Sequence, residues 1–111
     1  MNYVTDSLPR CIVGTEIKSR TGASYTIHKV DAKGFELLRD SGKTLRVTAR
    51  KITKTYADLC QRSLRFQASP NNGGISYTVA EEAAIVWALA DHITIDITNK
   101  LFHLKTNGVQ P

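Results

Sequence analysis

Eight of the chain's 15 lysines and arginines fall between Arg39 and Arg65, where only Asp40 and Asp58 oppose them. That segment is therefore net +6, whereas the residues before it are net +1 and those after it net −2. On a helical wheel Arg50, Lys51, Lys54, Arg62 and Arg65 share a polar side with Asp58 and Gln61, and Lys43 and Arg46 stand just ahead of them. Arg50 and Lys51 occupy the first turn of the helix expected here, where the macrodipole disfavours positive charge by a few tenths of a kcal/mol. Positions that break a local rule concentrate at functional sites, and a helix start flanked by cations suits an oxyanion such as phosphate. The chemistry indicated is electrostatic: engagement of nucleic acid or another polyanion through Lys43, Arg46, Arg50, Lys51, Lys54, Arg62 and Arg65. Aromatic platforms for base stacking are scarce, because Tyr56 falls on the core side and only Tyr25 and Phe35 remain.

Other candidate groups read more simply. Ser41-Gly42-Lys43-Thr44 has the ending of a phosphate-binding loop, but the earlier glycine is missing, its place being taken by Leu37, and strands flank the segment where the motif needs a helix. A turn explains these residues. Asp6 with Glu16-Ile17-Lys18 matches the carboxylate and Glu-x-Lys set by which many nucleases hold Mg²⁺, a metal-dependent nuclease being the third reading after the two developed below. His28, His92 and His103 have no metal-ligand spacing with each other or with cysteine. His92 follows the second helix, where it would complement the C-terminal dipole, and no Ser/His/Asp or Cys/His spacing predicts a nucleophile. Cys11 and Cys60 are expected to be buried free thiols. No cofactor, bound metal or catalysis is expected.

The elements that must position the basic residues follow from length and periodicity. A chain of 111 residues with 41% hydrophobic and 23% charged residues is one ordinary domain over 1–111, with loose tails expected at 1–10 and 106–111. Met1 to Asp6 lacks a basic segment followed by an apolar run, so no leader and a cytoplasmic location are expected. No apolar stretch reaches the roughly 20 residues of a membrane span. Cys11–Lys18, Ser24–Val30, Phe35–Arg39 and Thr44–Val47, separated by Gly-containing turns, read as a four-stranded antiparallel meander. In architecture, residues 11–47 resemble a small, partly open SH3-like or Tudor-like barrel.

After Val47 the period changes to 3.6. An amphipathic helix is predicted over about 48–62, capped by Thr48, with Ala49, Ile52, Tyr56, Leu59, Cys60 and Ser63 on its inner arc. Ser69-Pro70-Asn71-Asn72-Gly73-Gly74 reads as a flexible loop. Thr78 and Glu81 form a capping box opening a helix over 78–90 that is apolar nearly all round and should be buried nearly all round. Ile93–Thr98 alternates strictly and should pair with Leu101–Lys105 through a tight Asn99-Lys100 turn. The expected fold is α+β: meander, basic helix, buried helix, C-terminal hairpin. The alternative function is a protein-interaction or regulatory module acting by self-association, a homodimer burying two of the three isoleucines, or Trp87 with the small-residue row of Ala80, Ala84 and Ala88.

Overall fold

The computed structural model describes residues 13–19 and 22–105. Four strands, β1 (Glu16–Lys18), β2 (Ser24–Asp31), β3 (Gly34–Arg39) and β4 (Thr44–Thr48), form an antiparallel sheet in the order β1-β2-β3-β4. The sheet stays open, with β1 and β4 as its edges. Alternation puts Ile17, Tyr25, Ile27, Phe35, Leu37 and Val47 on its buried face. The pattern in β2 fails after Ile27 because a bulge at His28 shifts the register, pairing Lys29 with Glu36. Asp40–Lys43 turns β3 into β4, with the Gly42 N–H donating to Arg39 at 2.9 Å and φ of 85° at Gly42. The Gly-Lys pair thus belongs to a turn between strands.

Helix α1 (Ala49–Gln61) starts where β4 ends. The Thr48 hydroxyl caps it by accepting from the Lys51 N–H at 3.1 Å, and Ile52, Thr55 and Leu59 are buried. The inward arc is turned toward Thr55, whose hydroxyl is satisfied by the Lys51 carbonyl at 2.9 Å, and away from Cys60. Cys60 is correspondingly an exposed free thiol, which corrects the expectation of a buried one; Cys11 lies outside the described residues.

A two-residue strand not foreseen from the sequence, β5 (Leu64–Arg65), follows α1. With β6 (Ile93–Asp96) and β7 (Leu101–Leu104) it makes a second sheet in the order β5-β7-β6. Periodicity needs several residues to speak, and two cannot. The Asn/Gly segment between α1 and the next helix is fastened rather than loose. It forms a 3₁₀ turn over Pro70–Asn72, its Gly73 carbonyl accepts from the Arg65 N–H at 2.8 Å, and Gly74 donates to Ser69 at 2.9 Å.

Helix α2 (Val79–Ala88) lies against both edges of the first sheet, β1 and β4. Its start is capped as the sequence predicts on one side only. Thr78 Oγ1 accepts from the Glu81 N–H at 3.1 Å, but the Glu81 carboxylate is met by the Ser76 hydroxyl, and that same oxygen accepts from the Thr78 N–H at 3.2 Å. Ser76 thus completes the reciprocal half of the box. Thr78→Ala should cost about 1 kcal/mol, read as a shift in the urea midpoint at unchanged slope; no shift would show that Ser76 and Glu81 hold the helix start without it.

All three alanines of the small-residue row, Ala80, Ala84 and Ala88, are buried, as are Ile85 and Leu89. The helix is nevertheless not enclosed all round. Val79 is 41% exposed, Val86 and Trp87 are half-buried, and with Ala83, Ile95 and Lys18 they line a groove of about 220 Å³. Trp87 turns its ring edge to Phe35, centroids 6.1 Å apart. A charged residue takes an inward position instead: Glu82 is buried, and its Oε2 accepts from the Gln67 N–H at 2.7 Å. That bond holds Gln67 at φ 46°, a conformation side chains other than glycine rarely adopt.

The C-terminal hairpin closes two residues earlier than the alternation implies. Asp96 accepts from the Asn99 N–H at 3.0 Å and from its side-chain amide at 2.9 Å, an Asx-type turn that ends β6 before Ile97. Ile93 is buried, Ile95 is 41% exposed and Ile97, in the turn, is 76% exposed. The buried side chains of both sheets and both helices form one core.

Candidate functional site

The seven basic residues do not converge on one point. Lys43 sits in the β3–β4 turn, at the far end of β4 from α1, a separation of roughly 17 Å along an extended strand. Arg46 on β4 is occupied: its guanidinium donates to Asp31 at 2.7 Å. That contact first, and the Lys33 N–H second, hold the Asp31 carboxyl down at about 2. A depressed carboxylate contributes stability that is present above its ordinary value of 3.8 and lost as pH falls toward 2. Asp31→Asn should therefore flatten the acid limb of the stability curve between about pH 4 and pH 2, measured by denaturant titration at stepped pH. An unchanged acid limb would mean that the pair contributes nothing.

Arg50, Lys51, Lys54, Arg62 and Arg65 form the remaining group. Arg50 is exposed beside Ala32 and Lys33 at the start of α1. Lys51 is half-buried, and Lys54 donates to Asp58 one turn on at 3.1 Å. Arg62 is the exposed C-cap of α1. Arg65 lies on β5 rather than on the helix, its aliphatic stem running past Gly73. From Arg50 to Arg62 the strip covers roughly 18 Å of helix. With Arg65 on the strand that follows, five cations stand against one carboxylate, Asp58.

The helix start is less open to an oxyanion than the sequence suggests. The Ala49 N–H donates to the Lys33 carbonyl at 2.7 Å, and that of Lys51 is taken by Thr48. Side-chain charge, not free backbone donors, is what this surface offers. The recess between Lys51, Lys54 and the Pro70–Gly74 segment measures about 30 Å³, the volume of one water molecule. A wider and more open recess of about 370 Å³ lies at the helix start, between Ala32, Lys33, Thr48, Ala49 and Arg50.

Glu16 and Lys18 are exposed on either side of buried Ile17 and so share one strand face. Their intended third partner, Asp6, lies outside the described residues. Among the described residues no three His, Cys, Asp or Glu side chains gather as a metal site would require. His92, in the 3₁₀ turn that follows α2, packs edge-on against Tyr56, centroids 6.3 Å apart. His28 stands 3.9 Å from Glu36.

One constellation escapes sequence reading altogether. The register of the second sheet pairs Thr94 with His103 and Asp96 with Leu101, and Leu64 with Phe102. Ser63, just ahead of β5, therefore falls beside His103. Its Oγ is 2.6 Å from Nδ1, and Nε2 of the same ring is 3.3 Å from Asp96 Oδ2. Ser63 and His103 are 40 residues apart in the chain, and the strand that brings them together has two residues. The Asp96 carboxyl is held below its ordinary range, by the Asn99 N–H first, then the Asn99 amide, then His103. Comparisons with protein-family models, with curated proteins and with solved structures find no significant match to this chain.

Proposed function

We propose that the chain is a binding protein that engages a polyanion, nucleic acid being the best-fitting class, through the outer strip of α1 and β5. The observation that supports this reading is the excess on that strip, where Arg50, Lys51, Lys54, Arg62 and Arg65 meet only Asp58. Such a surface neutralises phosphates without reading bases, so affinity should fall steeply with salt. With four to five phosphates contacted, the slope of log K against log salt on duplex DNA should be roughly −4. Arg50→Glu combined with Arg62→Glu changes two exposed side chains and should weaken binding at low salt by roughly tenfold or more. Fluorescence anisotropy with random duplex and single-stranded oligonucleotides measures both. Binding that is absent at low salt, or indifferent to the double reversal, removes the proposal.

A second reading is favoured by a different surface. Tyr77, Val79, Ile95 and Ile97 are 68%, 41%, 41% and 76% exposed, and Val79 and Ile95 border the same groove along α2. Self-association would cover this apolar strip. Sedimentation at high micromolar concentration decides: a monomer there ends this reading and leaves the first untouched.

A further inference from the structure

We propose that Ser63 is a nucleophile, activated by His103 and oriented through Asp96, toward carboxylic esters that carry a negative charge. This goes beyond polyanion binding and does not depend on it. The three side chains are in line on the face of the second sheet opposite Phe102 and Leu64, which join the core. Asp96 accepts at Nε2, which fixes the neutral imidazole with its proton there. Nδ1 is then the acceptor, and the Ser63 hydroxyl donates to it across 2.6 Å. Nucleophile, base and orienting carboxylate are the parts of a serine hydrolase relay. Here the ring is turned the other way round, Nδ1 to serine and Nε2 to carboxylate, and the proton count is the same.

The reaction balances with water as the only co-reactant. As Ser63 Oγ forms its bond to the ester carbonyl carbon, the hydroxyl proton passes to Nδ1, and the imidazolium is stabilised by Asp96. Breaking of the carbon to alkoxy-oxygen bond expels the alcohol, which takes the proton back from Nδ1. Water then attacks the acyl-serine with the same proton relay and releases the acid. All three side chains are partly exposed, His103 by 38% and Asp96 by 25%, so water and substrate reach them. Arg62 and Arg65 flank Ser63 in the chain and are exposed. Their charge selects anionic acyl groups over neutral ones.

The charged groups on the His103 face are Asp96 from β6, Arg65 from β5 and Lys105 two residues along its own strand; α1 meets β7 on the other, apolar face. A fluorophosphonate probe tests the nucleophile directly, because Oγ displaces fluoride from phosphorus and leaves a stable adduct. The expected result is one adduct per chain, mapped to Ser63 by peptide mass spectrometry and abolished in Ser63→Ala. His103→Gln should slow labelling by roughly a hundredfold or more. In the natural protein the labelling rate should climb with pH as Nδ1 becomes free of its proton. Asp96→Asn, which keeps an oxygen for the Asn99 N–H, should slow labelling, because the carboxylate that stabilises the imidazolium is gone. The para-nitrophenyl half-ester of succinic acid should turn over faster than para-nitrophenyl butyrate, and Arg65→Gln should erase that preference. No adduct, an adduct on another residue, or a labelling rate independent of pH overturns the proposal. So does labelling of Ser63 at an undiminished rate in folded His103→Gln, with folding checked by circular dichroism; if that variant does not fold, the pH profile decides.

Discussion

Phe102→Ala should destabilise the protein by about 3–5 kcal/mol, the usual cost of removing a fully enclosed phenyl ring. Phe102 has no exposed surface and stands on the middle strand of the second sheet. Its register neighbours are Leu64 on one side and Ile95 on the other, and the Phe66 ring packs on it with centroids 4.6 Å apart. Each of the flanking strands is short, two residues in β5 and four in β6, so few backbone hydrogen bonds hold that sheet together. Its stability comes instead from side chains meeting at Phe102. A small domain has about 5–15 kcal/mol in total, which makes this single ring a large fraction of it. Urea denaturation followed by Trp87 fluorescence measures the change. A loss below about 1 kcal/mol would mean that the cavity collapses onto neighbouring side chains and that the second sheet is held by its backbone.

The same sheet shows what could be read in the chain before its structure. Elements whose signals are local came through. Thr48 and Thr78 mark the helix starts because a cap needs only its own next three residues, and glycine-bearing turns separate the strands of the meander. Features that depend on a distant segment did not. β5 exists because β7 passes beside it, and the hairpin turn is set by Asp96 competing for the Asn99 N–H against continuation of the alternating strand. Glu82 looks like an exposed charge by type, yet it is buried because an N–H 15 residues away points at it. The basic strip was legible as charge, but its partners were not. Asp31 is 15 residues from Arg46 in the chain and meets it only because β3 aligns β2 with β4, Gly34 pairing with Asp31 on one side and Thr48 on the other.

The two proposals fall on two different faces of the molecule. The outer side of α1 carries an excess of positive charge, which suits a surface held by long-range attraction. The outer side of the second sheet carries a hydrogen-bonded serine, histidine and aspartate, which suits a reaction at one atom. Arg62 and Arg65 lie at the boundary of the two, following α1 and on β5. Both proposals draw on these arginines, so Arg62→Glu with Arg65→Glu is expected to weaken oligonucleotide binding and ester turnover together.

Gly34→Ala should be nearly as damaging as loss of Phe102, for a backbone reason. Gly34 opens β3 with φ of 149°, where an L side chain is strained. A Cβ there would also stand 2.2 Å from the Val47 carbonyl oxygen and 2.8 Å from the Thr48 Cα. Neither atom can move freely. Gly34 pairs with Thr48 in the sheet, and the adjacent Lys33 carbonyl accepts the first N–H of α1, so the β2–β3 turn and the start of the basic helix are fixed to each other. The combined cost of strain and overlap should be about 2–4 kcal/mol, with a melting point lowered by roughly 10 °C or more. Gly42→Ala is the control. Its φ is 85°, but an added Cβ meets nothing within 4 Å, so strain alone, about 1 kcal/mol, should appear. If the two variants melt together, the overlap with Val47 is relieved at no cost, and the turn is not what anchors α1. If Gly34→Ala melts far below Gly42→Ala, the position of the whole cationic strip rests on one missing methyl group.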